Sequence, residues 1–487
     1  MFLGIDIGTS SVKLCLMSDD LMQVGAGQAN LAVQTPHPYW SEQQPEVWWA
    51  AVCAACADLA TRHDLTSVQA IGLSGQMHGA VLLDKEAKVV RPAMLWNDGR
   101  AHAECEAMLQ ELPTIGTIAG VPPMPGFTAP KLRWLATHEP EHHARISQLL
   151  LPKDYIGHRL HGGFVTDRSD AAGTHWLDQA SRGWSEALCN VSRIDPAWLP
   201  RLSDGTGLGG TLTTEAAAAL GLRPDIPVAV GGGDAATGAV GIGAITEGAA
   251  FISLGTSGQL FVATDSYRPN PEQMVHAYCH TVPEMWFQMA AMLNGARPMQ
   301  WFADICNAPV GDLLLEAASI PAQDAPTFLP YLTGERSPHG DPHIRGSFYG
   351  LSDGMDRGHL MRGVVTAIAC SFADAVDSLR IAGTDVIDPL AIGGGAQSEL
   401  LLQTLADLLG VSLHRASDAA TGPALGAARL AAVATGAATL TDLATQPPIQ
   451  RSFDPTPSGV LTQRLHDYRV LYRRLKDIHL NDWERNP

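Results

Sequence analysis

Gly4-Ile5-Asp6-Ile7-Gly8-Thr9-Ser10-Ser11-Val12-Lys13 is the stretch that decides how the chain is read. An apolar run ends in Gly-Thr-Ser and resumes as a second apolar run over 12–17. The pattern predicts a β-hairpin whose tight turn exposes backbone N–H groups and small hydroxyls. Such groups, converging with no bulky side chain between them, make a concave anion site. Asp6 closes the first run, where a carboxylate beside a phosphate would hold a divalent cation. A shortened copy returns at Leu254-Gly255-Thr256-Ser257-Gly258, again between two apolar runs. Two copies, each early in its half, predict a duplicated core with a cleft between two lobes. The expectation is a phosphotransfer enzyme with one phosphate hairpin per lobe.

Outward from the first hairpin, three apolar runs over 1–32 predict an antiparallel meander. A helix over 45–62 follows, with Pro45 at its first turn. A short strand over 67–74 leads into Gly75-Gln76-Met77-His78-Gly79, where flanking glycines would deliver three side chains into a cleft. Strands are predicted over 80–83 and 89–95, ahead of Trp96-Asn97-Asp98-Gly99-Arg100, then helices over 101–112 and 126–135. Asp167-Arg168-Ser169-Asp170 reads as an acidic loop. A buried strand over 227–230 runs into Gly231-Gly232-Gly233-Asp234, and the small residues of 235–248 predict a tightly packed helix and connector.

The second half repeats the plan. Helical periodicity is predicted over 289–307, 311–318 and 357–379, and 332–338 reads as a surface loop by composition. A strand over 389–392 ends in Gly393-Gly394-Gly395-Ala396 and a helix over 398–409 follows. A small-residue helix opens at Thr421, and the arginine-rich stretch after Leu461 predicts a terminal helix with a solvated face. The domain organisation expected is a first lobe over 1–246, a second over 247–440, and a helical tail over 441–487 packed on the second lobe.

At 487 residues, with 46% apolar content, the chain is long enough for two domains with large cores. A formal charge of -18 argues against nucleic acid, which selects basic surface. An acidic protein that binds an anionic nucleotide must concentrate its attraction locally, in amides, a few cations and a metal. No basic leader precedes the first apolar run, and no stretch reaches membrane-spanning length, so a cytoplasmic protein is expected. The 8 cysteines include a Cys53–Cys56 pair inside a helical pattern, with no second pair at zinc spacing, and read as reduced and structural.

Each candidate site has a plainer reading. Residues 231–236 formally fit G-x-G-x-x-A, but lie mid-chain, and Gly-Lys never occurs, so no Walker A lysine is present. The glycines could clear space for Asp234 to meet a substrate hydroxyl and accept its proton. Equally, Asp234 could cap the helix that follows. His78 is either a core histidine or, with Gln76 and Met77, a contact to a polyol. The glycines at 393–395 could admit a flat base beside Ser398, or simply turn a strand into a helix.

Gly4 to Ser10, residues 126–135, Gly231 to Asp234 and Gly393 to Ala396 together resemble the FGGY carbohydrate kinase family, in order and over nearly the whole chain. Within it, 75–79 followed by 95–100 is most similar to members acting on D-xylulose. The resemblance implies an α/β fold of two actin-like (ribonuclease H-like) lobes with an interlobe catalytic cleft. It implies transfer of the γ-phosphate of ATP to the 5-hydroxyl of D-xylulose, with Mg²⁺. By position, Asp234 would be the general base. Asp6 would be a second catalytic residue, on the metal. Gln76, Met77 and His78 would contact the sugar. Thr9, Ser10, Gly255 and Thr256 would hold the ATP phosphates, and Gly394, Gly395 and Ser398 the adenosine. The partners implied are a sugar and ATP, with a homodimer as a candidate assembly. Three positions depart from the family pattern: Gly363 and Thr366 in the second signature helix, and Ala235, where an Asn commonly follows the base. Ala235 keeps another ketopentose or polyol, such as ribulose, as an alternative substrate. An actin-like ATPase without a sugar is the alternative from a different class.

Overall fold

The computed structural model describes residues 1–416 and 422–485. Thr421, the expected start of the small-residue helix, and the last two residues of the tail lie outside the described residues.

Two seven-stranded sheets carry the molecule. The first contains β1 (Phe2–Ile7), β2 (Ser11–Met17), β3 (Gln23–Asn30), β4 (Ala70–Gly75), β5 (Leu208–Thr211), β6 (Pro227–Ala229) and β7 (Gly232–Gly233). The second contains β8 (Ala250–Leu254), β9 (Gly258–Thr264), β10 (His276–Cys279), β11 (Trp286–Met292), β12 (Leu390–Ile392), β13 (Leu413–Ala416) and β14 (Ile449–Phe453). The helices that matter here are α1 (Pro45–Ala60), α2 (Asp234–Gly241), α3 (Arg357–Ile381), α4 (Glu399–Leu409), α5 (Pro423–Ala434) and α6 (Gly459–Arg485).

The duplication expected from the two hairpins is visible strand by strand. In the first sheet β3, β2 and β1 form an antiparallel meander, and β1 continues into parallel β4 and β6, with β5 antiparallel at the edge. In the second, β11, β9 and β8 form the meander, β12 and β13 continue in parallel, and β14 is the antiparallel edge. The two Gly-Thr-Ser turns therefore occupy equivalent places, each between the first two strands of its lobe. Alternation does not mark the central strands: β1 is buried at all six positions, as expected of a strand covered on both faces.

The lobes are interlocked by small-residue helices. The helix α5 packs on β1 and β4, and on α2. A Cβ at Gly4 or Gly72 would fall 1.8 Å from the carbonyl oxygens of Ala424 and Ala427, so helix and sheet can approach this closely only because those strand positions are glycine. At the far end α6 packs on the second lobe, where Arg469 Nε pairs with Asp374 at 2.6 Å and the Tyr468 hydroxyl bonds that of Tyr331.

Three expectations are corrected. Residues 289–292 belong to β11, and the helix of that region begins only at Arg297. A short apolar run cannot be assigned by periodicity alone, and here its neighbour β9 pairs with it along seven residues. The 332–338 loop is not a surface loop, since Glu335 and Ser337 are buried. The acidic 167–170 stretch is a strand end and a helical turn around buried Lys153. The Lys153 ammonium lies 2.5 Å from Asp154, 3.0 Å from Asp167 and 3.5 Å from Asp170. The two departures in α3 have local explanations. A side chain at Gly363 would meet the Pro326 carbonyl at 2.7 Å, and the Thr366 hydroxyl donates to the Arg362 carbonyl at 2.9 Å.

Candidate active site

Asp6 and Asp234 reach the cleft floor from strands on either side of β4. Asp6 lies opposite Ser74 in the β1–β4 register, and Gly233 of β7 lies opposite Gly75. Gly231, at φ +75°, passes so close to β4 that a Cβ would sit 1.7 Å from the Leu73 carbonyl oxygen. The glycines thus bring β7 against β4 and set down Asp234 as the first residue of α2. The cap position itself is Gly233, so Asp234 is not the helix cap. Its Oδ1 accepts the Ala235 N–H at 2.7 Å. Burial raises the Asp234 carboxyl to about 7, the charge of Asp6 adds to the rise, and the Ala235 amide opposes it. Asp6 itself is raised to about 6 by burial, with the Ser74 hydroxyl and Lys13 pulling the other way.

Above this floor lies a cavity of about 300 Å³ walled by Met77, His78 and Trp96 of the first lobe and His276, Tyr278 and Arg336 of the second. His78 takes a left-handed backbone conformation, φ +70°. Its carbonyl accepts from Thr128 Oγ1 and Lys131 Nζ, each at 3.1 Å. Its ring stacks on Phe127, centroids 4.4 Å apart. Burial holds its pKa well below 6.5, so the ring is neutral. Nδ1 sits 2.6 Å from the Gly173 carbonyl oxygen and is therefore the protonated nitrogen. That leaves Nε2 as an acceptor for a hydroxyl.

Asp234 and Ala235 also line a second cavity of about 520 Å³, which runs along Phe251 and Ser253 to Gly393 and Gln397. A third, of about 740 Å³, continues past Gly255 and Thr256 to Gly394, Gly395 and Trp301. The cleft is thus one polar chamber joined at Asp234 to a longer channel between the second hairpin and the 393–395 turn. Asp6 faces a further cavity with Lys13, Arg62 and Gly422. Its Oδ1 is buried with no hydrogen-bond partner, the state expected of an oxygen meant for a cation or its water. Among the described residues no cluster of three His, Cys, Asp or Glu side chains gathers to hold a metal. One carboxylate without a cage suits Mg²⁺, which keeps waters and leans on substrate phosphates.

The candidates from sequence divide into two groups. Asp234, Met77 and His78 line the polar chamber, Gly255, Thr256, Gly394 and Gly395 the channel, and Asp6 the floor. Gln76 is off the cavity wall. Its Oε1 accepts from Thr9 Oγ1 at 2.9 Å, and its Nε2 donates to the Gly8 carbonyl and to Gln43 Oε1, both at 3.3 Å. Thr9 Oγ1 also accepts the Trp96 indole N–H at 2.9 Å, so that hydroxyl is spent within the protein and turned toward the polar chamber. Ser10 is exposed on the turn, and its carbonyl accepts the Leu31 N–H. Ser398 caps α4, its hydroxyl accepting from Leu401 N at 3.2 Å, and Gln397 takes its place on the channel wall. Sequence reading missed Trp96, His276, Tyr278 and Arg336. Trp96 had a signal in 95–100; the other three lie on a strand and a loop with no motif.

Known proteins are similar to this chain over nearly its whole length. The model of the FGGY family of carbohydrate kinases, N-terminal domain, matches residues 1–241, and that of its C-terminal domain residues 250–435. The xylulose kinase of Escherichia coli (strain K12) is 42% identical over 480 residues, 98% of this chain and 99% of its own. The solved structure of a xyloylose kinase from Brucella ovis superposes with a TM-score of 0.94 at 40% identity, covering 98% of this chain and 99% of that one. The xylulose kinase structure from Rhodospirillum rubrum gives a TM-score of 0.91 at 28% identity, over 98% and 99% of the two chains. No described helix is long and apolar enough to cross a membrane. Both lobes being matched, with the hairpins and the cleft between them, the chain belongs to the FGGY family of carbohydrate kinases and is a carbohydrate kinase.

Proposed function

We propose that the protein phosphorylates D-xylulose, transferring the γ-phosphate of ATP to its 5-hydroxyl. The observation that carries the reading is Asp234, a carboxylate shared by the walls of the polar chamber and the channel. A sugar in the chamber and a triphosphate in the channel meet there. The relatives named as xylulose kinases, similar along nearly all of this chain, support D-xylulose over another ketopentose.

His78 Nε2 accepts a sugar hydroxyl and Met77 packs on the carbon chain. Asp234 orients the 5-hydroxyl and takes its proton as the bond from O5 to Pγ forms and the bond from Pγ to the β–γ bridging oxygen breaks. Phosphoryl transfer passes through a loose transition state, so orientation and charge neutralisation dominate the catalysis. The amides around Thr9 and Ser10, with Gly255 and Thr256, receive the phosphates, and Gly394, where a Cβ would meet nothing within 4 Å, leaves room for the adenosine beside Gly395 on the channel wall. Asp6, whose Oδ1 has no partner, would hold Mg²⁺, and the metal when bound would neutralise charge on the phosphates. Gln76 is a positioning residue: it fixes the Thr9 hydroxyl and the turn that carries it.

Asp234→Asn tests the assignment. It should lower kcat by roughly 10²–10⁴-fold, the span usual for a general base, and leave the KM for ATP within a few-fold. Near-normal turnover in that variant would remove Asp234 from the mechanism.

A further inference from the structure

The loop that follows Tyr331 is fastened from both sides. The Ser337 hydroxyl donates to the Met274 carbonyl at 2.7 Å and accepts from the Ala291 N–H at 3.1 Å. Glu335 turns its carboxylate inward, accepting the backbone N–H groups of Leu293 at 2.6 Å and Arg336 at 2.8 Å, and Asn294 Nδ2 at 3.3 Å. The neighbouring carboxylate therefore spends its hydrogen bonds on backbone and amide groups and attracts the Arg336 guanidinium only through space. Among the described residues that guanidinium makes no ion pair and no side-chain hydrogen bond, and it lies on the chamber wall. Beside it on the same wall, the Tyr278 hydroxyl and His276 Nδ1 are buried without partners.

The guanidinium is half-buried on that wall, and a fully buried hydroxyl left unsatisfied beside it is costly. The loop carries that cost with a tightly fixed backbone, which points to an occupant of the chamber as the missing partner. Arg336 and Asp234 line the same chamber, so one occupant can meet both.

We propose that Arg336 is the residue that selects ketoses, its guanidinium holding the C1-hydroxyl and C2-carbonyl oxygens of the sugar while Asp234 takes the hydroxyl at the other end. The assignment rests on the sugar-kinase reading above. The planar fork of guanidinium donors fits two coplanar oxygens of an α-hydroxy ketone. A polyol presents a tetrahedral carbinol there, whose hydroxyl brings a donor of its own to a donor-rich wall. Because Met77 and His78 come from one lobe and Arg336 from the other, a bound ketose also bridges the cleft.

The test compares D-xylulose with xylitol, a polyol of the same length, in the wild type, Arg336→Gln and Arg336→Lys. Sugar binding without ATP is followed in parallel by thermal shift. Arg336→Gln should raise the KM for D-xylulose by roughly 10²-fold, a conservative figure for a site that loses its matched polar partner, with kcat within a few-fold. The preference for ketose over polyol should collapse, the sugar-induced thermal shift should vanish, and the KM for ATP should stay unchanged. Arg336→Lys should recover little, because an ammonium cannot span two oxygens. If the Gln variant fails to fold, the Lys variant carries the comparison. An unchanged KM for D-xylulose, or equal losses on both sugars, overturns the assignment. A five-carbon aldonate preferred to the ketose would show that the guanidinium answers a carboxylate, and would overturn it too. A wild type that takes xylitol as readily as D-xylulose removes the ketose reading itself, whereas a preference retained in Arg336→Gln removes only Arg336.

Discussion

Asp6 and Asp234 are set on one floor by two strands that flank β4, and the charge of Asp6 adds to burial in holding the Asp234 carboxyl at about 7. A base needs its proton off, so the sign is fixed: the free enzyme gains activity as pH rises through about 7 and loses it as pH falls. The acid limb of kcat/KM for the sugar, which reports the free enzyme, should therefore have its midpoint near 7. His78 is held neutral well below this range and contributes no limb there. A profile flat from pH 5.5 to 8 would contradict the pairing.

The buried, unpartnered oxygen of Asp6 gives a second expectation. Asp6→Asn keeps the shape and loses the charge. The Mg²⁺ concentration for half-maximal activity should rise by roughly 10–100-fold, the range seen when the surroundings of a bound metal are impaired. The acid limb should also move to lower pH, because the anion beside Asp234 is gone. An unaltered Mg²⁺ dependence would place the metal elsewhere.

Lys153 is fully buried among Asp154, Asp167 and Asp170. Burial opposes its charge, but the three carboxylates outweigh burial and hold its pKa above the usual lysine value. Lys153→Met would leave buried carboxylates without a cation and should cost about 3–5 kcal/mol in denaturant unfolding. Asp154 and Asp170 already sit above the ordinary carboxylate range and would rise further, so the loss should be larger at pH 8 than at pH 5. Equal loss at both values would mean that packing, not charge, sets the effect.

Gly231→Ala should be far more damaging than an ordinary loop substitution. The residue has φ +75°, and the added Cβ would meet the Leu73 carbonyl oxygen at 1.7 Å. Either β7 separates from β4, carrying Asp234 off the floor, or the lobe unfolds. Both outcomes predict loss of turnover with a lowered melting temperature, and a stable, fully active variant would refute the packing argument.

The parts of this architecture held by neighbours in sequence were legible from it. The two Gly-Thr-Ser turns join strands that pair directly, and their spacing carried the duplication. Asp234 stood out because three glycines precede it. Gln76 was legible as part of a site but not as a positioning residue, since its partners at Gly8, Thr9 and Gln43 come from distant stretches. The same holds for 332–338, polar in composition yet buried, because Leu293 and Asn294 supply the partners for Glu335. Ser398 looked free to meet a ligand, and the cap it forms depends on where α4 begins. Arg336 carries no motif at all; only the folded chamber shows its guanidinium on the wall, with no ion pair among the described residues.

The most direct test of the central claim is sugar-dependent ADP release by the wild type, measured over D-xylulose, D-ribulose, L-ribulose, xylitol and glycerol, with a sugar-free control. D-xylulose should give the highest kcat/KM, and ATP turnover without sugar should be negligible beside it. A higher kcat/KM on another sugar of the panel, or sugar-free turnover of comparable size, would contradict the account.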